Sequence, residues 1–115
     1  MKVSFNGYGE QVATFETGSN VIVGGPVAIT GNGIVSGAVT GGDFCGICVS
    51  NENGYAAVQM KGYMKAEYTG TVNAGRVNLT GVVGGKVKAA TGAEVTVPVQ
   101  VTDVDTAAKI CGFIL

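Results

Sequence analysis

Glu94-Val95-Thr96-Val97-Pro98-Val99-Gln100-Val101 alternates without a break, with the four valines on one side and Glu94, Thr96, Pro98 and Gln100 on the other. Side chains of an extended chain point to opposite faces in turn, so this is the pattern of a strand with one face in a core and the other in water. A helix would need apolar residues recurring three and four apart, and this stretch has none of that spacing. Proline has no N–H to give a ladder, so Pro98 predicts that the strand is at a sheet edge, or bulged, at that point.

The same phrasing extends in both directions. Short runs rich in Val, Ile, Thr and aromatics predict strands over Gln11–Phe15, Asn20–Val23, Val27–Thr30, Ile34–Ala38, Phe44–Ser50, Tyr55–Lys61, Tyr63–Tyr68, Val77–Thr80, Lys86–Ala89, Glu94–Thr102 and Ala108–Leu115. Between them stand residues that tolerate positive φ, at Asn6-Gly7, Gly24-Gly25-Pro26, Gly31-Asn32-Gly33, Asn53-Gly54 and Gly84-Gly85, several of which predict tight hairpins. Glycines interrupt every longer stretch, so no long helix is expected, only a short turn over Asp105–Ala108. The expectation is an all-β chain: one small domain over 1–115, a β-barrel or sandwich of short antiparallel strands, with 1–15 as an N-terminal arm or a first hairpin.

Composition narrows the function. Hydrophobic residues make up 46% of the chain and charged residues 13%, about half the charged share of an ordinary soluble domain. Much of the surface must then be neutral or apolar, which points to coverage by a partner or by copies of the same chain. The net charge is −1 and the seven Lys and Arg are scattered, so neither a phosphate backbone nor an anionic membrane is an expected partner. No apolar run reaches the roughly 18 residues that cross a bilayer, and Met1-Lys2-Val3-Ser4-Phe5-Asn6 lacks a signal-peptide core, so folding in a cytoplasm is expected.

Each chemically suggestive motif has a plainer reading beside it. Cys45-Gly46-Ile47-Cys48 has the spacing of a zinc or redox pair, but the chain has no histidine and only Cys111 besides, one ligand short of a structural zinc site. Buried thiols are the expectation, and no cofactor or metal is called for. The lack of histidine also removes the commonest general base, and no Ser or Cys stands in a G-x-S-x-G context, so no enzyme is expected and no catalytic residue is assigned. Asp103 and Asp105 read as a solvated strand end. Gly81-Val82-Val83-Gly84-Gly85-Lys86-Val87 fails the phosphate-loop pattern, since Val87 stands where a hydroxyl is required. Asn78-Leu79-Thr80 matches a glycosylation triplet without a secretory context. Met60-Lys61 offers a biotinyl or lipoyl carrier as one alternative, and Tyr55, Tyr63 and Tyr68 a carbohydrate- or partner-binding platform, such as a tail or baseplate accessory, as another.

Read in order, a set of phrases resembles the small capsid decoration, or cement, proteins of tailed bacteriophages. They are Met1-Lys2-Val3-Ser4-Phe5-Asn6-Gly7, Val12-Ala13-Thr14-Phe15-Glu16, Gly25-Pro26-Val27-Ala28-Ile29 with Gly31-Asn32-Gly33, Gly42-Asp43-Phe44-Cys45-Gly46-Ile47-Cys48, Gly54-Tyr55-Ala56-Ala57-Val58-Gln59, Lys61-Gly62-Tyr63, Gly84-Gly85-Lys86-Val87, and Val104-Asp105-Thr106 through Gly112-Phe113-Ile114-Leu115. Their collinear order carries the likeness; none is diagnostic alone. The resemblance implies a non-enzymatic virion structural protein, made in the bacterial host's cytoplasm, that sits on the outer capsid surface. Its implied partners are the major capsid protein and other copies of itself, trimers among the arrangements. The expected contact residues are the aromatics of the N-terminal segment, Phe5, Tyr8 and Phe15, with a first hairpin holding them in its own core as the other reading.

Overall fold

The computed structural model describes residues 11–92 and 94–115. Among these it is all-β, without a helix: β1 (Gln11–Thr17), β2 (Pro26–Gly31), β3 (Ile34–Gly37), β4 (Gly46–Glu52), β5 (Tyr55–Lys61), β6 (Tyr63–Tyr68), β7 (Gly75–Val82), β8 (Lys86–Ala89), β9 (Val97–Asp105) and β10 (Ile110–Ile114). These strands close into two small barrels, not one: β1-β3-β2-β4-β5 and β6-β8-β7-β9-β10.

The second barrel repeats the first, strand for strand. β1 runs parallel to β3 as β6 runs parallel to β8. The remaining pairings, β2 with β3 and β4, β5 with β4 and β1, are antiparallel and recur as β7 with β8 and β9, β10 with β9 and β6. The bulge that skips Val49 in β4 reappears at Thr102 in β9. The hairpin after β4 ends on Gly54, whose carbonyl accepts from Thr17 N–H; the hairpin after β9 ends on Lys109, whose carbonyl accepts from Tyr68 N–H. Both residues have positive φ, 80° and 59°, and at Lys109 a side-chain-bearing residue bears the strain that glycine would avoid.

A sequence signature accompanies the repeat. Gly25-Pro26-Val27-Ala28-Ile29-Thr30-Gly31 and Gly75-Arg76-Val77-Asn78-Leu79-Thr80-Gly81 share the pattern G-x-V-x-[Ile/Leu]-T-G, in β2 and β7. Against β4 and β9 the two strands sit alike, Val27 beside Gly46 and Val77 beside Val99, but against β3 and β8 they do not. Ile29 pairs with Val35, whereas Leu79 pairs with Ala89, two residues beyond Val87, the counterpart of Val35. A slip of two keeps each side chain on its face. It draws Leu79 inside its barrel, fully buried, and leaves Ile29 at the mouth of the other, 53% exposed.

The cores differ in size. Val27, Val35, Cys48, Ala56 and Val58 fill the first barrel, all small side chains. The second holds Leu79, Met64, Tyr68, Val87 and Phe113, and it also takes Ala38, Phe44 and Ile47 from the first repeat. Phe44 stands edge-on to Phe113, ring centroids 6.4 Å apart, the geometry that the aromatic quadrupole favours. The start of β4 is consequently buried on both faces, Cys48 pointing into its own barrel while Ile47 packs on the neighbouring one, and from Val49 onward the strand is exposed. Gly62, with φ +91°, makes the turn from one barrel to the other.

Several element limits differ from the sequence expectation. Asn20–Val23 is not a strand: Asn20 has φ +58° and Gly25 N–H bonds back to Ile22 O. Phe44 lies before β4 because its ring is committed to the second barrel. β9 begins at Val97, since Glu94 is occupied by Thr91 and Lys88, and Val95 is exposed although the alternation places it on the core face. Pro98 pairs with Asn78 of β7, while β10 pairing starts only at Gln100, so the proline falls where β9 has one neighbour. Asn53-Gly54, with φ of 53° and 80°, forms the tight hairpin that its sequence predicts.

Candidate functional site

Of the aromatics expected at the contact surface, Phe5 and Tyr8 lie outside the described residues. Phe15 is half-buried on β1 and packs against the core of the first barrel. The surface that invites contact lies elsewhere. Ile22, Val23, Ile29, Val39, Val83 and Val95 are large apolar side chains between 43% and 64% exposed. Ile22, Val23, Val39, Val83 and Val95 stand on the connections where the two barrels meet, and Ile29 stands on β2 at the mouth of the first barrel. The 22–25 connection rests on the Gly84-Gly85 hairpin, where a Cβ on Gly25 would stand 2.7 Å from the Cα of Gly85. An open groove of about 220 Å³ runs beside it, lined by Ile22, Val23, Lys65, Glu67, Gly85 and Ile110. Next to it the β3–β4 connection lies on β7, with Val83 N–H donating to Thr40 Oγ1 at 3.1 Å. β-Branched residues at such junctions are stiff and lose little entropy on contact.

Several polar side chains hold parts of the fold together. Tyr63 is 6% exposed and its hydroxyl donates to Asp103 Oδ1 at 3.1 Å, across the strand that carries Gly112. Thr102 Oγ1 donates to the same carboxylate at 2.6 Å. Gly112 is required there, because a Cβ would strike both Tyr63 Oη and Asp103 Oδ1. Asp103 is therefore a bonded acceptor and not only a solvated strand end, and Asp105 holds the following turn by accepting from Ala107 and Ala108 N–H. Lys88 and Glu94 pair at 2.8 Å; that pairing, with the N–H of Thr91, holds the Glu94 carboxyl below its ordinary range.

Burial, and after it the Asp103 carboxylate, pushes the Tyr63 phenol from 10.0 up to about 12. Burial likewise raises the Cys111 thiol from 9.0 to about 11. Both acids are favoured neutral in the fold. The unfolded chain releases these protons from about pH 9 and pH 10, whereas the folded chain keeps them to about pH 11 and pH 12. Their contribution is thus complete below pH 9 and is lost as the pH climbs through that window. The urea midpoint is expected to fall between pH 8.5 and 11.5, and Tyr63→Phe to shallow the decline; an unchanged midpoint across that range would contradict the assignment.

The cysteines are divided between the cores. Cys48 lies in the first and Cys111 in the second, while Cys45 is half-buried at the start of β4. The C-x-x-C pair and the third thiol thus do not converge, and among the described residues no three His, Cys, Asp or Glu group to hold a metal ion. Burial raises the pKa of all three thiols, and Cys48 Sγ donates to Ser50 O. With a thiol-specific disulfide reagent Cys45 is expected to react first and slowly, and Cys48 and Cys111 only on unfolding. Three equal, peptide-like rates would refute the placement.

The alternative sites lack their geometry. Tyr63 and Tyr68 are buried and only Tyr55 is exposed, so the three form no aromatic platform. Lys61 ends β5 at the junction between barrels, where the following Gly62 turns into β6, and not at a hairpin tip as a carrier lysine would be. No protein-family model matches the chain, and no curated protein matches it significantly.

Proposed function

We propose that this chain is a non-enzymatic virion structural protein that binds the outer surface of an assembled tailed-phage head and stabilises it, as a capsid decoration protein does. The observation that carries the reading is the row of half-exposed Ile and Val side chains at the barrel junction, on a chain with few charges. Such a surface loses little solvation when covered and is costly when left bare. The collinear resemblance of the sequence to decoration proteins supports the same reading. Two rigid barrels in one chain suit a cementing role, because repeated small contacts on an ordered shell add through effective concentration. The partners are then the major capsid protein and neighbouring copies, without nucleic acid or membrane, and the place of action is the outside of the virion.

Co-sedimentation of the purified protein with expanded, undecorated heads tests it. Saturable binding at a fixed ratio to the major capsid protein is expected, together with greater resistance of the heads to heat. Failure to bind across heads from several hosts would sink the proposal.

A further inference from the structure

The repeated motif meets different surroundings in its two copies. In the second barrel its end is covered by the β3–β4 connection of the first: Gly81 N–H donates to Gly42 O at 2.8 Å and Gly41 N–H donates to Gly81 O at 3.0 Å. Thr80 Oγ1 adds a third bond, to Gly42 O at 3.0 Å. The approach is so close that a Cβ on Gly81 would stand 2.5 Å from that of Ala38. Leu79 and Thr80 are fully buried beneath it.

Among the described residues, no segment of the second barrel lies over the corresponding Ile29-Thr30-Gly31 of the first; the side chain bonded to the Ile29 backbone is Cys45 of the same repeat. Ile29 is 53% exposed and Thr30 is exposed, its hydroxyl 3.1 Å from that of Ser36. A Cβ on Gly31 would meet nothing nearer than Ile34 of its own hairpin, at 3.4 Å. The piece that could supply the cover is also present. The β8–β9 connection is the second repeat's counterpart of the covering segment, and it presents Val95, 54% exposed. The backbone of that connection is engaged within the chain, Val95 N–H donating to Gly41 O at 3.2 Å, so each barrel leaves open a side chain: Ile29 on the first and Val95 on the second.

We infer that the chain self-associates head to tail: the β8–β9 connection of one copy, led by Val95, covers Ile29, Thr30 and Gly31 of the next, as the β3–β4 connection covers Leu79, Thr80 and Gly81 within the chain. Such a contact joins two different patches, so it closes into a ring if the rotation permits and otherwise runs on as a filament. The area is small, which places it among weak contacts that fill at high protein concentration or when copies are already arrayed. Ile29 is bulkier than the small residues that would let backbones approach as closely as at Gly81, so the contact between copies is apolar first, Val95 against Ile29. The inference rests on the internal repeat and not on the capsid reading.

Sedimentation equilibrium of the protein alone, without heads, decides it. The weight-average mass of the wild type is expected to rise steadily up to about 1 mM. Ile29→Asp and Val95→Asp should each weaken association by at least about tenfold, and each position is exposed enough to leave the fold intact, which the urea midpoint checks. Mixed together the two variants should form a one-to-one dimer and nothing larger, because each retains the half that the other has lost. If either aspartate variant loses its fold, Ile29→Ser and Val95→Ser replace them. A wild type that stays monomeric throughout overturns the inference, as does association unchanged in either variant. A mixture that fails to pair while the wild type assembles would mean a symmetric contact through another face, and overturns it equally.

Discussion

Phe113→Ala is expected to lower the stability of the protein by about 3–5 kcal/mol, the range for truncating a fully buried phenylalanine. Among the described residues Phe113 is the largest side chain with no exposure, and it faces the core of the second barrel between Met64 of β6 and Val101 of β9. Its ring also receives Phe44 from the other repeat, so the loss should reach across the junction and loosen the connection that covers β7. A whole domain is stable by only about 5–15 kcal/mol, so the variant should be partly unfolded at ambient temperature. Phe44→Ala should cost less, since it removes the inserted ring and leaves the barrel's own packing. The cycle of the two single variants and the double variant should show coupling of about 0.5–1.5 kcal/mol beyond area burial. Urea unfolding followed by far-UV circular dichroism measures all four. A loss below about 1 kcal/mol at Phe113 would mean that the ring is not in a packed core.

Gly81→Val and Gly31→Val should act in opposite directions, although they make the same change at the same place in the same motif. Valine suits a strand better than glycine, and propensity alone predicts a gain of up to about 1 kcal/mol at either site. At Gly81 the new Cβ meets the Cβ of Ala38 and the carbonyl oxygens of Val39 and Gly42, the latter two at 3.2 and 3.3 Å. None of these is the end of a flexible chain that can swing away. Overpacking costs about 1–3 kcal/mol, and displacement of the connection also forfeits the bonds to Gly41 and Gly42, at about 1 kcal/mol each. At Gly31 the Cβ has room, and the variant should be neutral or slightly more stable in dilute solution. Equal shifts of the urea midpoint in the two variants would show that the β3–β4 connection does not lie on β7.

The strands and hairpins were readable because their causes are local. Alternation at 97–101, β-branched runs between glycines, and Asn53-Gly54 each act within a few residues, and a tight turn needs no distant partner. The strand ends were less readable where a distant group takes over. Phe44 leaves β4 for the ring of Phe113, and Glu94 leaves β9 for Lys88. Cys48 and Cys111 could be expected in a core, but not in two different ones.

The contact surface was the least legible part. Alternation marks a side chain as apolar and facing one way, without saying whether anything stands opposite. Val95 and Ile29 occupy core-facing positions of their patterns and are nonetheless exposed. The one available signal was the repeated G-x-V-x-[Ile/Leu]-T-G at 25–31 and 75–81. Its meaning stays hidden until the pairing of β2 and β7 is known, because a slip of two residues leaves the pattern intact while it moves Ile29 to a barrel mouth and Leu79 to a barrel centre.

By itself, then, the order of residues determined an all-β chain of short strands, its tight turns, its low charge and the burial of Cys48 and Cys111. Those properties follow from side-chain periodicity, backbone φ preference and solvation, all of which act at short range. Tertiary structure decided that the strands close into two like barrels instead of one, that the first lends Phe44 to the second, that Gly112 makes way for Tyr63 and Asp103, and which copy of the motif is covered. Each of these depends on a partner far away in sequence, and closing a long loop costs nearly the same free energy for many competing pairings. The choice among them falls to packing, where a single Cβ at Gly81 or Gly112 is enough to forbid the arrangement.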